Sequence, residues 1–432
     1  MNTLRSRHRQ HGFFRRFDIL TALLIPLLLA ACAAHPPVAP PAPTDQPVPV
    51  ILISLDGFHP DYLERGLTPS LQRLADGGVR AESMNPSYPS LTFPNHYTLV
   101  TGLRPDRHGI VHNTMRDQAL GDFALHRREA VEDGRWWGGE PIWVSARKQG
   151  LRTATLFWPG SEAEIGGLRP DDWRVFSKDL PPEQRVDTVL GWLDRAPDQR
   201  PHFITLYFEH VDTASHDFGI DSPQADAAIA TVERALAQLL DGLEARGLAD
   251  AVHLVVVSDH GMAATSAERV VILDDRLDPA TVEIRTLGEV IGIEPLPGQE
   301  AEVERALLGR HDRFECWPRA ELPGRWHYGR NARIPAIVCQ TDVGWKMVTR
   351  EQLTRWQGKV KPGAHGFDPD DPTMRALFIA HGPLIAPGSV VPAFDNVHVY
   401  PLLASLLAID ASPGDGDASV LAPVLRAGEI GQ

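Results

Sequence analysis

The chain has 432 residues, 43% of them hydrophobic and 23% charged, which excludes a disordered chain, a collagen-like repeat and a polytopic membrane protein. Its formal net charge of −14 argues against a nucleic-acid-binding surface, which needs clustered Lys and Arg.

Residues 1–31 read as an export signal. Arg5, Arg7, Arg9, Arg15 and Arg16 precede an apolar run from Ile19 to Ala31, too short to span a bilayer but suited to a signal peptide. The run ends in Leu29-Ala30-Ala31-Cys32, which resembles a bacterial lipobox. That resemblance implies cleavage before Cys32, a lipid anchor on its thiol as the protein's one membrane contact, and a periplasmic location. Cleavage as a plain signal peptide is the alternative. Residues 32–49 are rich in proline and read as a semi-rigid tether in polyproline II.

The catalytic domain is expected over 50–432. Val50–Leu55 is a near-continuous apolar run of the kind found in strands buried on both faces, and similar runs recur at 203–208, 252–257 and 376–380. A helix is expected from Ser222, with Pro223 just inside it, an apolar stripe of Ile229, Val232, Leu236, Leu239, Leu240 and Leu243, and a stop at Gly247. Buried strands alternating with amphipathic helices predict an α/β fold with a mostly parallel central sheet flanked by helices. Residues from roughly 265 to 370 break that pattern and are expected to form a smaller α+β insertion. Cys316 and Cys339 form either a disulfide or two buried thiols.

Three apolar strands run into carboxylates: Asp56, Asp212 and the pair Asp259-His260. Ligands of open α/β sheets bind beyond the carboxyl ends of the strands. Asp and His together suit zinc, and the four-residue spacing of Asp212 and His216 puts both on one face of a helix. Thr92 is placed to N-cap a helix ending near Gly102, with its hydroxyl beside free N–H groups that favour a phosphate. The cap alone is the simpler role, and residue chemistry does not select Thr92 over Ser90 or Ser87 as a nucleophile.

Six blocks in order carry a resemblance: Ser54-Leu55-Asp56-Gly57, Thr92-Phe93-Pro94-Asn95-His96-Tyr97, His108 to Asn113, Asp212-x-x-x-His216, Ser258 to Met262, and Gly363-Ala364-His365-Gly366. The pattern is similar to the nucleotide pyrophosphatase/phosphodiesterase family of the alkaline phosphatase superfamily. The resemblance implies a dizinc hydrolase that cleaves nucleotide diesters and pyrophosphates to nucleoside monophosphates through a nucleotidyl-threonine. It casts Asp212, His216 and His365 as ligands of one zinc, and Asp56, Asp259, His260 and the Thr92 oxygen as ligands of the other. It casts Asn113 as a donor to a phosphate oxygen, and supports Phe93 and Tyr207 as a nucleobase sandwich with Trp158 alongside. His96, His108 and His112 are expected to be structural. The alternatives are a phospholipid-type diesterase and a phosphomonoesterase; the latter needs a cation for the extra phosphate charge, and the sequence places no Arg near Thr92 or Asn113 in that role, since Arg104 and Arg107 can face away. Oligomeric state is not readable from the sequence.

Overall fold

The computed structural model describes residues 47–426. The readings of the export signal, of Cys32 and of most of the tether lie outside the described residues.

The central element is an eight-stranded sheet. Its strands are β1 (Val50–Leu55), β2 (Val79–Ala81), β3 (Thr153–Leu156), β4 (Asp172–Arg174), β5 (Phe203–Phe208), β6 (His253–Val257), β7 (Phe378–His381) and β8 (Ser389–Val391). They lie side by side in the order β8-β2-β7-β6-β1-β5-β3-β4. Five of the seven pairings are parallel; β7 runs antiparallel to both β6 and β2. The sequence run expected at 376–380 is therefore the strand that reverses the sheet, a direction that apolarity alone does not encode.

Alternate residues of β1 feed opposite cores, Val50 and Leu52 on one face, Ile51, Ile53 and Leu55 on the other. Both faces are dry because helices cover them, which is why the strand carries no polar alternation. The helix expected after Ser222 spans Pro223–Ala245; the Ser222 hydroxyl accepts from the Ala225 N–H, and Ile229, Val232, Leu236, Leu239 and Leu243 are buried.

Between β6 and β7 the chain leaves the main sheet. Ala263-Ala264 pairs antiparallel with Gly363-Ala364, a two-rung ladder where the excursion departs and returns. Inside it, a five-stranded sheet spans 282–341 around a core of its own that includes Ile291, Phe314 and Met347. Cys316 and Cys339 face each other across neighbouring strands of that sheet and form a disulfide.

Candidate active site

The carboxyl ends of β1, β5 and β6 converge. Asp56 follows β1 directly, and the backbone N–H of Asp212 donates to the Asp56 carbonyl at 3.1 Å. Gly57 makes this approach possible: its φ is +69°, and a Cβ there would meet the Cα and Cβ of Asp212 at 3.1 Å. After β5 comes helix α1 of the site (His210–Phe218), which places Asp212 and His216 one turn apart, 3.4 Å between Oδ1 and Nε2. His365 follows the two-rung ladder directly, and its Nε2 lies 3.5 Å from the same Asp212 oxygen.

Three histidines share one arrangement. The Nδ1 atoms of His216, His260 and His365 lie 2.8–2.9 Å from the carbonyls of Gly363, Gly261 and Ser90. A carbonyl only accepts, so each Nδ1 carries the proton and each Nε2 turns toward carboxylates. His260 Nε2 is 2.9 Å from Asp259 Oδ2 and 3.7 Å from Asp56 Oδ1, and its ring stacks on His365 with centroids 3.6 Å apart. Gly363 is pressed against the same helix: a Cβ there would meet the Ser215 carbonyl at 2.2 Å.

Asp56 Oδ1, Asp212 Oδ1 and Asp259 Oδ2 are buried and accept no hydrogen bond. Orphaned carboxylate oxygens facing imidazole nitrogens across a short gap are costly to bury unless positive charge lies between them. Donor atoms of Asp212, His260 and His365 lie within 4.8 Å of one another, as do those of Asp56, His96 and Asp259. This donor set, oxygen and imidazole nitrogen oriented by outer hydrogen bonds, fits divalent zinc. The charge imbalance also shows in the titrating groups. Burial, then Asp259 and Asp212, push the Asp56 carboxyl well above its usual range. Burial works the same way on Asp259, but His260 and His96 outweigh it and hold that carboxyl well below normal.

Thr92 stands opposite. It is the first residue of the helix Thr92–Thr101, whose N-cap is Leu91; the helix ends at Gly102 in the left-handed region. The sequence expectation of Thr92 as the cap is thereby corrected. Asn95 N–H bonds the Leu91 carbonyl, so the cap position lies one residue earlier, and the Thr92 hydroxyl makes no capping bond. Instead Thr92 Oγ1 lies 3.3 Å from His260 Nε2. Ser87 Oγ bonds Asn396 and Ser90 Oγ bonds the Phe367 carbonyl, which leaves Thr92 as the hydroxyl of the three turned to His260. Asn113 Oδ1 accepts from the Phe93 N–H at 3.0 Å, which sets the Asn113 amide beside the same helix start.

A recess of about 410 Å³ opens beside Thr92, lined by Phe93, Phe157, Trp158, Phe176 and Tyr207 among others. Phe93 packs against Phe123 and Trp137. Trp158 donates its indole N–H to the His96 carbonyl at 3.0 Å. The Tyr207 hydroxyl is committed to Asp56 Oδ2 at 2.5 Å, and its ring meets the edge of Phe176, an aromatic at the mouth that is 36% exposed. Phe176 was invisible in sequence because its segment has no periodicity. His96 also does more than the sequence reading allowed. Its Nε2 meets Ser54 Oγ at 2.7 Å, and its Nδ1 lies 2.9 Å from the Thr92 carbonyl and 3.3 Å from Asp259 Oδ2. The spacing of four from Thr92 to His96, the same as in Asp212–His216, was the available signal. His108 closes a short helix (Pro105–His108) and His112 lies in the loop after it; burial pushes their imidazoles down to about 3 and about 4.

Comparison with known proteins decides the family. Residues 50–368 match the family of type I phosphodiesterases/nucleotide pyrophosphatases. The chain belongs to that enzyme family. It is 38% identical over 389 residues to an uncharacterized pyrophosphatase/phosphodiesterase of Schizosaccharomyces pombe, covering 87% of this chain and 80% of the relative. It is 35% identical to ectonucleotide pyrophosphatase/phosphodiesterase family member 3 of Rattus norvegicus, covering 93% of this chain and 47% of that longer protein. The chain thus spans about half the length of that relative. Among solved structures, murine ectonucleotide pyrophosphatase/phosphodiesterase 5, an inactive threonine-to-alanine variant in complex with AMP, superposes with a TM-score of 0.83 at 32% identity, covering 88% of this chain and all of that one. The family is metal-dependent, and the alkaline phosphatase-like architecture expected from the sequence is the one observed.

Proposed function

We propose that the protein is an exported dizinc hydrolase of nucleotide phosphodiester and pyrophosphate bonds, with Thr92 as nucleophile. The observation that carries the reading is the Thr92 hydroxyl, free of any capping duty and aimed at His260 Nε2, which itself faces the orphaned oxygens of Asp56 and Asp259. Asp212, His216 and His365 would hold one ion, and Asp56, Asp259, His260 and the Thr92 oxygen the other. Bound there, zinc supplies Lewis acidity, lowering the pKa of a hydroxyl and offsetting charge on phosphoryl oxygens.

The protein's own groups do the rest. Thr92 Oγ1 displaces the leaving group at phosphorus, and water hydrolyses the nucleotidyl-threonine to a nucleoside monophosphate. The Asn113 amide, its oxygen already taken by Phe93 N–H, turns its N–H₂ to a phosphate oxygen. Phe93, Trp158 and Tyr207 form the wall for a nucleobase, with Phe176 at its rim. Arg104 and Arg107 are paired with Asp395 and Asp415 and do not line the recess beside Thr92, which speaks against either as a phosphomonoester clamp. The AMP complex of the murine relative and the threonine replaced in it support nucleotide substrates and the role of Thr92.

The ecto- relatives and the disulfide support export. Among the described residues no helix is long and apolar enough to cross a membrane. The lipid on Cys32 is tested by mass spectrometry of the exported protein, where a mature N-terminus without acylated Cys32 would exclude the anchor.

The decisive experiment is turnover of a chromogenic thymidine monophosphate diester. Thr92→Ala should reduce kcat by several orders of magnitude with the melting temperature little changed, and Thr92→Ser should retain substantial activity. Near-normal turnover by Thr92→Ala would reject the mechanism.

A further inference from the structure

Beneath the recess lies an arginine to which the chemistry above gives no part. Arg185 sits on a helix over Pro182–Leu193 and is fully buried. Its two terminal nitrogens donate to both carboxylate oxygens of Glu209, at 2.6 and 3.1 Å. One of them also donates to the Tyr207 carbonyl at 2.9 Å, and Nε donates to the Leu180 carbonyl at 2.9 Å. The guanidinium lies 5.1 Å from the Phe157 ring centroid and 5.8 Å from that of Phe208.

These contacts end one covalent step from the site. Tyr207 carries the hydroxyl that donates to Asp56. Glu209 is the N-cap residue of α1, the helix that carries Asp212 and His216, but its side chain caps nothing and goes to Arg185 instead. Phe157 holds a left-handed φ of +64° and packs edge-on against Phe176 at the mouth. A non-glycine residue in that region persists only where its surroundings over-determine it.

We propose that Arg185 is a positioning residue: through Glu209 and the Tyr207 carbonyl it fixes the turn from β5 into α1 and thereby sets where Asp212, His216 and the Tyr207 hydroxyl meet Asp56. The inference rests on the metal-site reading given under Proposed function. Stability alone is a poor reason for such a pair, because well-packed apolar residues often replace a buried ion pair without loss. Geometry is a better one. A planar fork reaching a carboxylate and two carbonyls fixes orientation in a way that a point charge or an alkyl chain does not.

The test uses the full chain carrying Arg185→Met with Glu209→Met, which leaves no unpaired charge behind, and separately Arg185→Lys, which keeps the charge but not the fork. Each is measured for melting temperature, for zinc affinity by competition with a chelator, and for kcat and KM on the thymidine diester. The expected result is a folded protein whose zinc affinity and kcat both fall about tenfold or more, the scale seen when groups that orient metal ligands are lost. Arg185→Lys should not rescue either quantity. A folded variant of either kind with parental zinc affinity and kcat would overturn the proposal. So would a change confined to KM, which would assign Arg185 to the Phe157–Phe176 wall alone. If neither variant folds, the pair supports the fold as a whole and the proposal fails. Parental protein that binds no zinc or leaves the diester uncleaved would instead defeat the functional reading beneath it.

Discussion

The two ends of the same three strands make opposite use of burial. At their carboxyl ends, β1, β5 and β6 deliver Asp56, Asp212 and Asp259, carboxylates whose free oxygens face inward unpaired. At the amino ends, His202 precedes β5, His253 opens β6, and His381 ends the antiparallel β7 across from Leu254. His253 is fully buried, neither ring nitrogen has a partner, and burial followed by the nearby His381 pushes its imidazole down to about 4. One end buries unpaired groups in excess of negative charge and therefore recruits cations. The other buries an unpaired imidazole that avoids the added cost of a buried charge by staying neutral.

Breaking the charged end should have the largest effect. Asp56→Asn is expected to lower kcat/KM on the thymidine diester by more than the roughly tenfold to hundredfold lost when groups that only orient metal ligands are removed. The same substitution removes one of three mutually repelling carboxylates, so in excess chelator its melting temperature should exceed that of the parent. A lower melting temperature in chelator would show that Asp56 is not strained without metal. Adding zinc should raise the melting temperature of the parent. At a free concentration one hundred times its dissociation constant, one site contributes about 2.7 kcal/mol, read as a rise in melting temperature that Asp56→Asn blunts.

The neutral end should respond to acid, with a smaller effect. The folded pKa of His253 lies below the unfolded value of 6.5, so the unfolded chain binds more protons between about 4 and 6.5. Stability contributed by keeping His253 neutral is full above 6.5 and is lost as pH falls toward 4, on the order of 2–3 kcal/mol. Denaturant unfolding at pH 7 and pH 4.5 should show this loss in the parent and a smaller one in His253→Leu. An equal loss in both would place the acid sensitivity elsewhere.

Much of this was readable in the sequence, and the parts that were not share a cause. Val50–Leu55 and the helix from Pro223 announce themselves because burial and capping act on neighbouring residues in the chain. Asp212 and His216 are legible for the same reason, being one helical turn apart. The Arg185–Glu209 pair, the Tyr207 hydroxyl on Asp56 and the bond from Ser54 to His96 join segments whose only relation is folded proximity. The direction of β7 belongs with these, since it depends on how the excursion brings the chain back. Thr92 is the instructive error. Cap and first turn differ by one residue, a shift within the normal uncertainty of helix ends, yet it decides whether the hydroxyl is occupied or free.

The two-rung ladder at the base of the excursion bears on the thermodynamics of ion capture. Asp259-His260 and His365 are separated by about a hundred residues of chain, and bringing such distant ligands together from an open loop carries an entropy penalty that grows with the logarithm of its length. The pairing of Ala263 with Ala364 closes that loop through backbone bonds in which no ion takes part. A cation therefore binds an already closed ring, and its affinity reflects the donors rather than the search for them. By the same reasoning, residues inside the ring can be lengthened, shortened or exchanged at little expense to the metal site, provided the rungs hold.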